Sequence, residues 1–486
     1  MVASPICKWV FFKKIMKFQV EVKNFGKIKD ARVNLAPFTV ISGTNSSGKS
    51  FLSKALYTFF STINKDYVTL EVKKLFNSIY GLSHYGFHVT KDPSSRIKEI
   101  NEILESQLLA LDNSINSTFG GATFLEQHAN NLNIASKVEL IEDTIQELQL
   151  ELKDKKKYSD YLERVSLSLK QIKTLKEAVK NPARILTRKL DEEFKNNLKE
   201  NFQVLSLIDL ISNNSKDELI EFKIDGLGEI KIDKEAINFN LKSDAIAEFQ
   251  SLHNVVFVES PIYWKLRKPL MEIQRRARGN SLFSFKQPQS ELTGVPKFFY
   301  DLMELLSLDI KANEEVSSFS NVIQDKINET LSGELIISDT GEIYFKDKGC
   351  SKNINLNLTA TGVTNLGIIG LLVKKNIIAK GSYVFIDEPE VNLHPAWQKI
   401  MVESLYDLST NGINVVIATH SIDMIKYIEN IMGDLSDEQI NKHFAINRLS
   451  NDGISISENL TPKDSLLKIK DDLGESFYNM VLESGW

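Results

Sequence analysis

The stretch Ser42–Phe51 reads SGTNSSGKSF and follows the apolar run FTVI at residues 38–41. Two glycines, a lysine and a serine stand at the spacing G-x-x-x-x-G-K-S. Gly43 and Gly48 let the backbone turn, so that the N–H groups of Thr44, Asn45, Ser46 and Ser47 point inward at phosphate oxygens. Lys49 supplies a point charge for the outer phosphates, and Ser50 offers a hydroxyl to Mg²⁺. Ahead of the loop, residues 17–41 alternate apolar and polar and break at Gly26 and Pro37, which predicts strands. Behind it, Leu52, Leu56, Phe59 and Phe60 carry helical spacing. The loop therefore lies between a strand and a helix, the setting this phosphate motif needs.

The chain has 486 residues, 42% hydrophobic and 25% charged, with a formal net charge of -5. That length accommodates two or three domains at ~150 residues each. The charge argues against wholesale wrapping of nucleic acid but leaves room for a local basic stripe. Its 2 cysteines, Cys7 and Cys350, are too few for a disulfide framework or a cysteine zinc site and fit a reducing compartment. No apolar run is long enough to span a membrane. The N-terminus lacks the apolar core and cleavage site of a signal peptide. A cytoplasmic protein is expected, with residues 1–15 an uninformative extension and Met1 or Met16 as its start.

The predicted order is a first α/β lobe over 16–63, a helical insertion over 64–253 and a second α/β lobe over 254–486. Within the insertion, Ile134, Val138, Ile141, Ile145, Leu148 and Leu152 are spaced as heptads, and Leu162, Val165, Leu169, Ile172 and Val179 resume the pattern. Two readings fit: a short antiparallel coiled coil over about 134–180, with arms of ~30 Å, or ordinary amphipathic helices of a helical domain. In the second lobe, NVVFVESP at 254–261 reads as a strand returning to the sheet. Residues 300–330 read as helix, and GELIISDTGEIYF as a hairpin turning at Asp339–Gly341. YVFIDEPE at 383–390 and INVVIATHS at 413–421 are apolar runs ending in polar groups, the pattern of central parallel strands.

These runs place chemistry at strand ends. Asp387 is set to hold the water shell of Mg²⁺, and Glu388 beside it to polarise an attacking water as general base. His420 would meet the phosphates at the sheet edge and bond the γ-phosphate. A histidine there is also commonly structural, but its place as third element in chain order favours function. In LTATGVTNLG at 358–367, Thr361 and Gly362 open a helix. Either they form an anion site, most simply for a phosphate bound to another subunit, or they are a plain helix cap.

GTNSSGKS, VESP, TATGVTNLG, FIDEPEVNLHP and IATHS together resemble the ATP-binding cassette superfamily in its SMC/RecF-like branch. Within it they are most similar to the OLD-related AAA-15 ATPases. The likeness covers roughly 16–62 and 254–450. It implies an ABC-type α/β head with a parallel or mixed sheet, ATP and Mg²⁺ as cofactors, and ATP hydrolysis. It also implies a homodimer sandwiching two ATP molecules, with Thr361 and Gly362 of one head facing Lys49 of the other and Asn392 and His394 reaching the opposite site. Larger oligomers are compatible with this arrangement. The signature is Thr-Ala-Thr-Gly instead of the Ser-Gly-Gly of transporter cassettes, and no glutamine loop is assignable, although Gln287 and Gln289 are present. The 66 residues after His420 hold no D-x-D triplet, so the nuclease centre of OLD proteins is not expected here. The resemblance thus points to the ATPase subunit of an anti-phage system of the PARIS or Septu kind, with a separately encoded effector nuclease.

Lys265, Arg267, Lys268, Arg275, Arg276 and Arg278 fall within fourteen residues. As a helical stripe over 265–278 they could neutralise nucleic-acid phosphates, as a DNA repair or recombination ATPase acting on ends or gaps would require. A solvated basic helix and a dock for an acidic protein fit the same residues.

Overall fold

A computed structural model describes residues 17–89, 95–212, 218–234, 236–259, 261–281, 292–308, 314–338, 341–456 and 460–483, without the side chains of 82–89, 95, 275–281, 314–320 and 476–483. The turn at 339–340 and Gln287 and Gln289 lie outside the described residues. The chain divides into two compact units. The first comprises Met1–Asn64, Glu193–Lys242 and Leu252–Trp486; the second comprises Lys65–Glu192 and Ser243–Ser251.

The strands are β1 (Phe18–Phe25), β2 (Ile28–Leu35), β3 (Phe38–Ser42), β4 (Ile220–Ile224), β5 (Gly228–Ile232), β6 (Ile237–Leu241), β7 (Val255–Val258), β8 (Gly333–Ile337), β9 (Ile343–Asp347), β10 (Ile354–Asn355), β11 (Tyr383–Asp387), β12 (Asn414–Thr419) and β13 (Phe444–Arg448). Five of them form a parallel sheet in the order β13-β3-β12-β11-β7. Residues of β3, β11 and β12 are all buried, as continuous apolar runs covered on both faces must be. The register sets Ser42 beside Thr419, Ala418 beside Asp387 and Ile386 beside Val258. The polar residues that end these runs therefore emerge in one row, at the carboxyl edge where open α/β sheets hold ligands.

The helix Lys49–Ile63 after the phosphate loop lies on this sheet through its aromatic face. Phe60 meets Tyr383 at 4.5 Å between ring centroids, and Tyr57 meets Phe257 at 5.4 Å. Each such ring, fully buried, stabilises the fold by about 1.5–3 kcal/mol, which anchors the helix whose first turn carries Lys49 and Ser50.

The α/β head with a large helical insertion matches the expected architecture. One boundary does not match the sequence reading. Residues 64–253 were expected to be a helical insertion, yet β4, β5 and β6 lie within them and extend the β1–β2 hairpin into an antiparallel sheet ordered β2-β1-β4-β5-β6. Their apolar residues alternate over only five positions each, as in Ile220, Phe222 and Ile224, and the partner strand β1 is remote in sequence. A third sheet, β10-β9-β8, contains the expected hairpin.

The second unit contains the helices Tyr67–Val89, Ser95–Thr118, Phe124–Ala129, Asn131–Leu152 and Ser159–Lys180. Asn131–Leu152 and Ser159–Lys180 pack together, and each also packs on a flanking helix, Ser95–Thr118 and Tyr67–Val89 respectively. The heptad residues Ile134, Val138, Ile141, Ile145 and Leu148 are buried, in a helical hairpin inside a helical bundle. Tyr161 donates to Asn101 Oδ1 at 2.7 Å across the bundle interior. The Gln127 amide donates to Asp66 Oδ1 and Thr69 Oγ1. No helix among the described residues is long and apolar enough to cross a membrane.

His443 closes the helix before β13, with Nε2 2.7 Å from Ser409 Oγ and its ring against Tyr406 and Phe444. Burial lowers its pKa to about 4. Unfolding then takes up a proton below the ordinary histidine pKa of about 6.5, so stability falls as pH drops from there toward 4. Thermal melting should show this loss in the wild type, and His443→Asn should flatten the dependence over that window.

Candidate functional site

The phosphate loop is set by two glycines acting differently. Gly48 caps the helix at φ 97°, in the left-handed region open to glycine at no steric cost. Gly43 is needed for its small size: a Cβ there would lie 2.5 Å from the Leu449 carbonyl oxygen. Ser46 also has a positive φ, and the Ser47 N–H bonds the Thr44 carbonyl at 3.3 Å. Asn45 and Ser46 are exposed while Ser47 is buried. Thr44 Oγ1 donates to Asn451 Oδ1, so the turn after β13 braces the loop.

Lys49 is 5% exposed and donates Nζ to the carbonyls of Gly43 at 2.9 Å and Thr44 at 3.0 Å. Burial lowers its pKa, opposed by the charges of Glu388, Asp387 and Glu390. An ammonium sharing only two carbonyls next to an acidic cluster is suited to exchange them for phosphate oxygens.

Ser50 Oγ donates to Asp387 Oδ1 at 3.0 Å. The two residues expected to serve Mg²⁺, 337 positions apart in sequence, thus touch. Burial pushes the Asp387 carboxyl up to about 7; the Ser50 bond lowers it, while Glu259 and Glu388 raise it further. A hydroxyl paired with a carboxylate is an oxygen donor set suited to a hard cation, which keeps several of its waters. These residues fit Mg²⁺, and a divalent charge there would favour the carboxylate form.

Glu259 follows β7 and pairs with Lys54 Nζ at 3.3 Å, and Lys54 lies over the Phe298 ring at 5.2 Å. The VESP segment that carries Glu259 belongs to the family likeness, but neither Glu259 nor Lys54 is among the site residues expected from sequence. The signal was present: VVFVE has the same form as VFIDE, an apolar strand with a carboxylate at its end.

Glu388 has φ 50°, a strained value for a residue with a side chain. Its Oε1 lies 3.3 Å from His420 Nδ1. The structure thus joins the expected base and the expected histidine, with Lys49 and Asp387 alongside in the same electrostatic cluster.

Thr361 and Gly362 open the helix Thr361–Lys374, whose N-cap Ala360 makes no side-chain cap bond. Gly362 faces the loop after Glu388: a Cβ would sit 2.6 Å from the Asn392 carbonyl oxygen, with Leu393 and Trp397 next nearest. Asn392 is exposed at φ 60°. His394 caps the helix Pro395–Thr410 by accepting the Ala396 N–H at Nδ1. The signature-like segment and the loop 388–394 therefore form one surface within a single chain.

Three members of the basic stripe have partners inside the chain. Lys265 Nζ donates to the Thr359 carbonyl at 2.6 Å, and Arg267 and Lys268 both pair with Glu342. Trp264 is buried. The side chains of Arg275, Arg276 and Arg278 lie outside the described residues. Lys265 thereby belongs to the packing of the signature-like segment.

Comparison with known proteins gives three findings. Residues 16–83 and 281–425 match the AAA_15 family, an AAA ATPase domain. A stretch of 133 residues is 29% identical to the Old nuclease of Escherichia phage P2, covering 27% of this chain and 20% of that protein. The chain thus spans about a fifth of the length of the curated relative it matches. Among solved structures, the SMC head domain from Thermotoga maritima aligns with 89% of this chain and 94% of its own, at 11% identity and a TM-score of 0.33. The Smc head domain with an extended coiled coil from Pyrococcus furiosus, bound to the C-terminal domain of ScpA, aligns with 94% and 98% at 12% identity and a TM-score of 0.37.

Proposed function

With an AAA_15-type ATPase domain of OLD-like kind as the premise, we propose that the chain is an ATP-hydrolysing switch. In this reading ATP joins two copies head to head, and the closed pair controls an effector nuclease encoded separately, as in anti-phage defence. The observation that carries the hydrolytic part is the Ser50–Asp387 contact at the phosphate loop, with Glu388 and His420 in contact beside it. The likeness of 133 residues to a protein named as a nuclease supports looking for a nuclease partner.

The chemistry follows from the residues. The loop amides from Thr44 to Ser50 would cradle the phosphates. Lys49 Nζ would leave the Gly43 and Thr44 carbonyls for the β- and γ-oxygens. Mg²⁺, when held by Ser50 Oγ and Asp387, would neutralise charge developing on those oxygens. Glu388 would accept the proton of the attacking water, and His420 would hold Glu388 and bond the γ-phosphate. The paired surface of Thr361, Gly362 and the loop 388–394 would face the nucleotide of the second copy, so that closure depends on ATP and hydrolysis reopens it.

Sedimentation of the Glu388→Gln protein tests the switch. With Mg-ATP the mass should double, and it should return to the monomer value with ADP. A monomer under both conditions excludes the ATP-sandwiched pair. Copurification of the chain with the products of adjacent genes tests the effector: a nuclease retained in the ATP state supports it, and recovery of the chain alone removes that part of the reading.

A further inference from the structure

Glu390, the second glutamate of D-E-P-E, is 8% exposed. Nothing in the local sequence anticipates this, because a charged residue in a strand-end loop is ordinarily solvated. Its Oε1 accepts the Thr419 hydroxyl at 2.8 Å and the His420 backbone N–H at 3.2 Å. The same oxygen lies 3.5 Å from His420 Nδ1. Its Oε2 is buried with no hydrogen-bond partner among the described residues, and so is His420 Nδ1. Burying a carboxylate is costly unless it is well bonded, so the position needs an explanation.

The loop that carries it is strained and pinned from the other side. Glu388 and Asn392 have positive φ. The Asn365 amide, on the helix behind Thr361, donates to the carbonyls of Pro389 and Val391, both at 3.0 Å. These two carbonyls flank Glu390. The segment 388–392 is thus held by Asn365 from the signature-like helix and by Glu390 from the end of β12. Strained backbone persists only when its surroundings over-determine it.

We propose that Glu390 is a positioning residue: by gripping Thr419 and the His420 N–H, it fixes the distance between Glu388 and His420. In this role it acts through those two residues. The proposal rests on the hydrolytic reading above for its consequence and on the hydrogen bonds alone for its geometry.

The test uses the full chain with Glu390→Leu, Glu390→Gln and Thr419→Val. Gln keeps an acceptor oxygen; Leu does not. Leu should lower kcat about 10- to 100-fold, the loss expected from misplacing a catalytic pair, with KM and Mg-ATP affinity unchanged. Gln should restore kcat to within about threefold of wild type, its neutral bonds being weaker than charge-assisted ones. Amide exchange at 388–392 and 419–421, read without nucleotide, should accelerate in Leu and not in Gln. Wild-type kcat and exchange in a folded Glu390→Leu protein would overturn the proposal. So would a Gln variant as slow as Leu, since the charge and not the acceptor would then matter. If Leu fails to fold, Thr419→Val removes one of the two gripped donors; faster exchange at 388–392 supports the brace and unchanged exchange overturns it. A wild type without ATP turnover would reject the hydrolytic reading, while the exchange data would still decide the brace.

Discussion

Glu388→Gln should retain nucleotide binding and lose turnover by about 100- to 10,000-fold, the usual worth of a positioned general base. Glutamine has the same length and can keep an oxygen near His420 Nδ1, which lies 3.3 Å from Glu388 Oε1. The difference is that an amide oxygen does not take a proton from water. The Ser50–Asp387 pair and Lys49 remain in place, so Mg-ATP affinity stays within a few-fold. One negative charge next to Lys49 is also removed, which does not oppose the phosphates. Parallel measurement of phosphate release and equilibrium binding separates the two quantities. Equal turnover in the variant and the wild type would remove Glu388 from the role of base.

Lys49→Ala has the opposite signature. Hydrogen bonds to a charged partner are worth about 1.5–3 kcal/mol, so ATP affinity should fall about 10- to 100-fold. The loss has two origins. The ammonium no longer meets the phosphates, and the charges of Asp387, Glu388 and Glu390 that it faced are left uncompensated beside an anionic ligand. Lys49→Arg should not restore binding fully, because a planar guanidinium does not reproduce the point charge that Lys49 Nζ places beside the Gly43 and Thr44 carbonyls. Lys49→Ala should also lose some stability, since the acidic charges and the Gly43 and Thr44 carbonyls lose their partner. A calorimetric titration with Mg-ATP and a thermal melt check both statements.

Much of the site was legible because its residues end apolar runs. Asp387 closes β11, while the phosphate loop and His420 directly follow β3 and β12, and such runs have few structural alternatives. Phosphate-loop spacing is local, so it could be read from ten residues. What was not legible depends on contacts distant in sequence. Asn451 reaches Thr44 across 407 positions. The strand β4 pairs with β1, yet each apolar alternation is too short to stand out among charged neighbours. Glu390 looks like a solvent-facing charge until the end of β12 is placed over it. Within the basic stripe, Lys265, Arg267 and Lys268 hold Thr359 and Glu342 in space, contacts that their local sequence does not announce.

The most direct measurement is steady-state phosphate release by the purified full chain with ATP and Mg²⁺, with Glu388→Gln and Lys49→Ala alongside. Release by the wild type that needs Mg²⁺ and is lost in both variants is the expected result. No release by a folded wild type that binds Mg-ATP, or release equal in all three proteins, would contradict the assignment of this site as an ATP-hydrolysing centre.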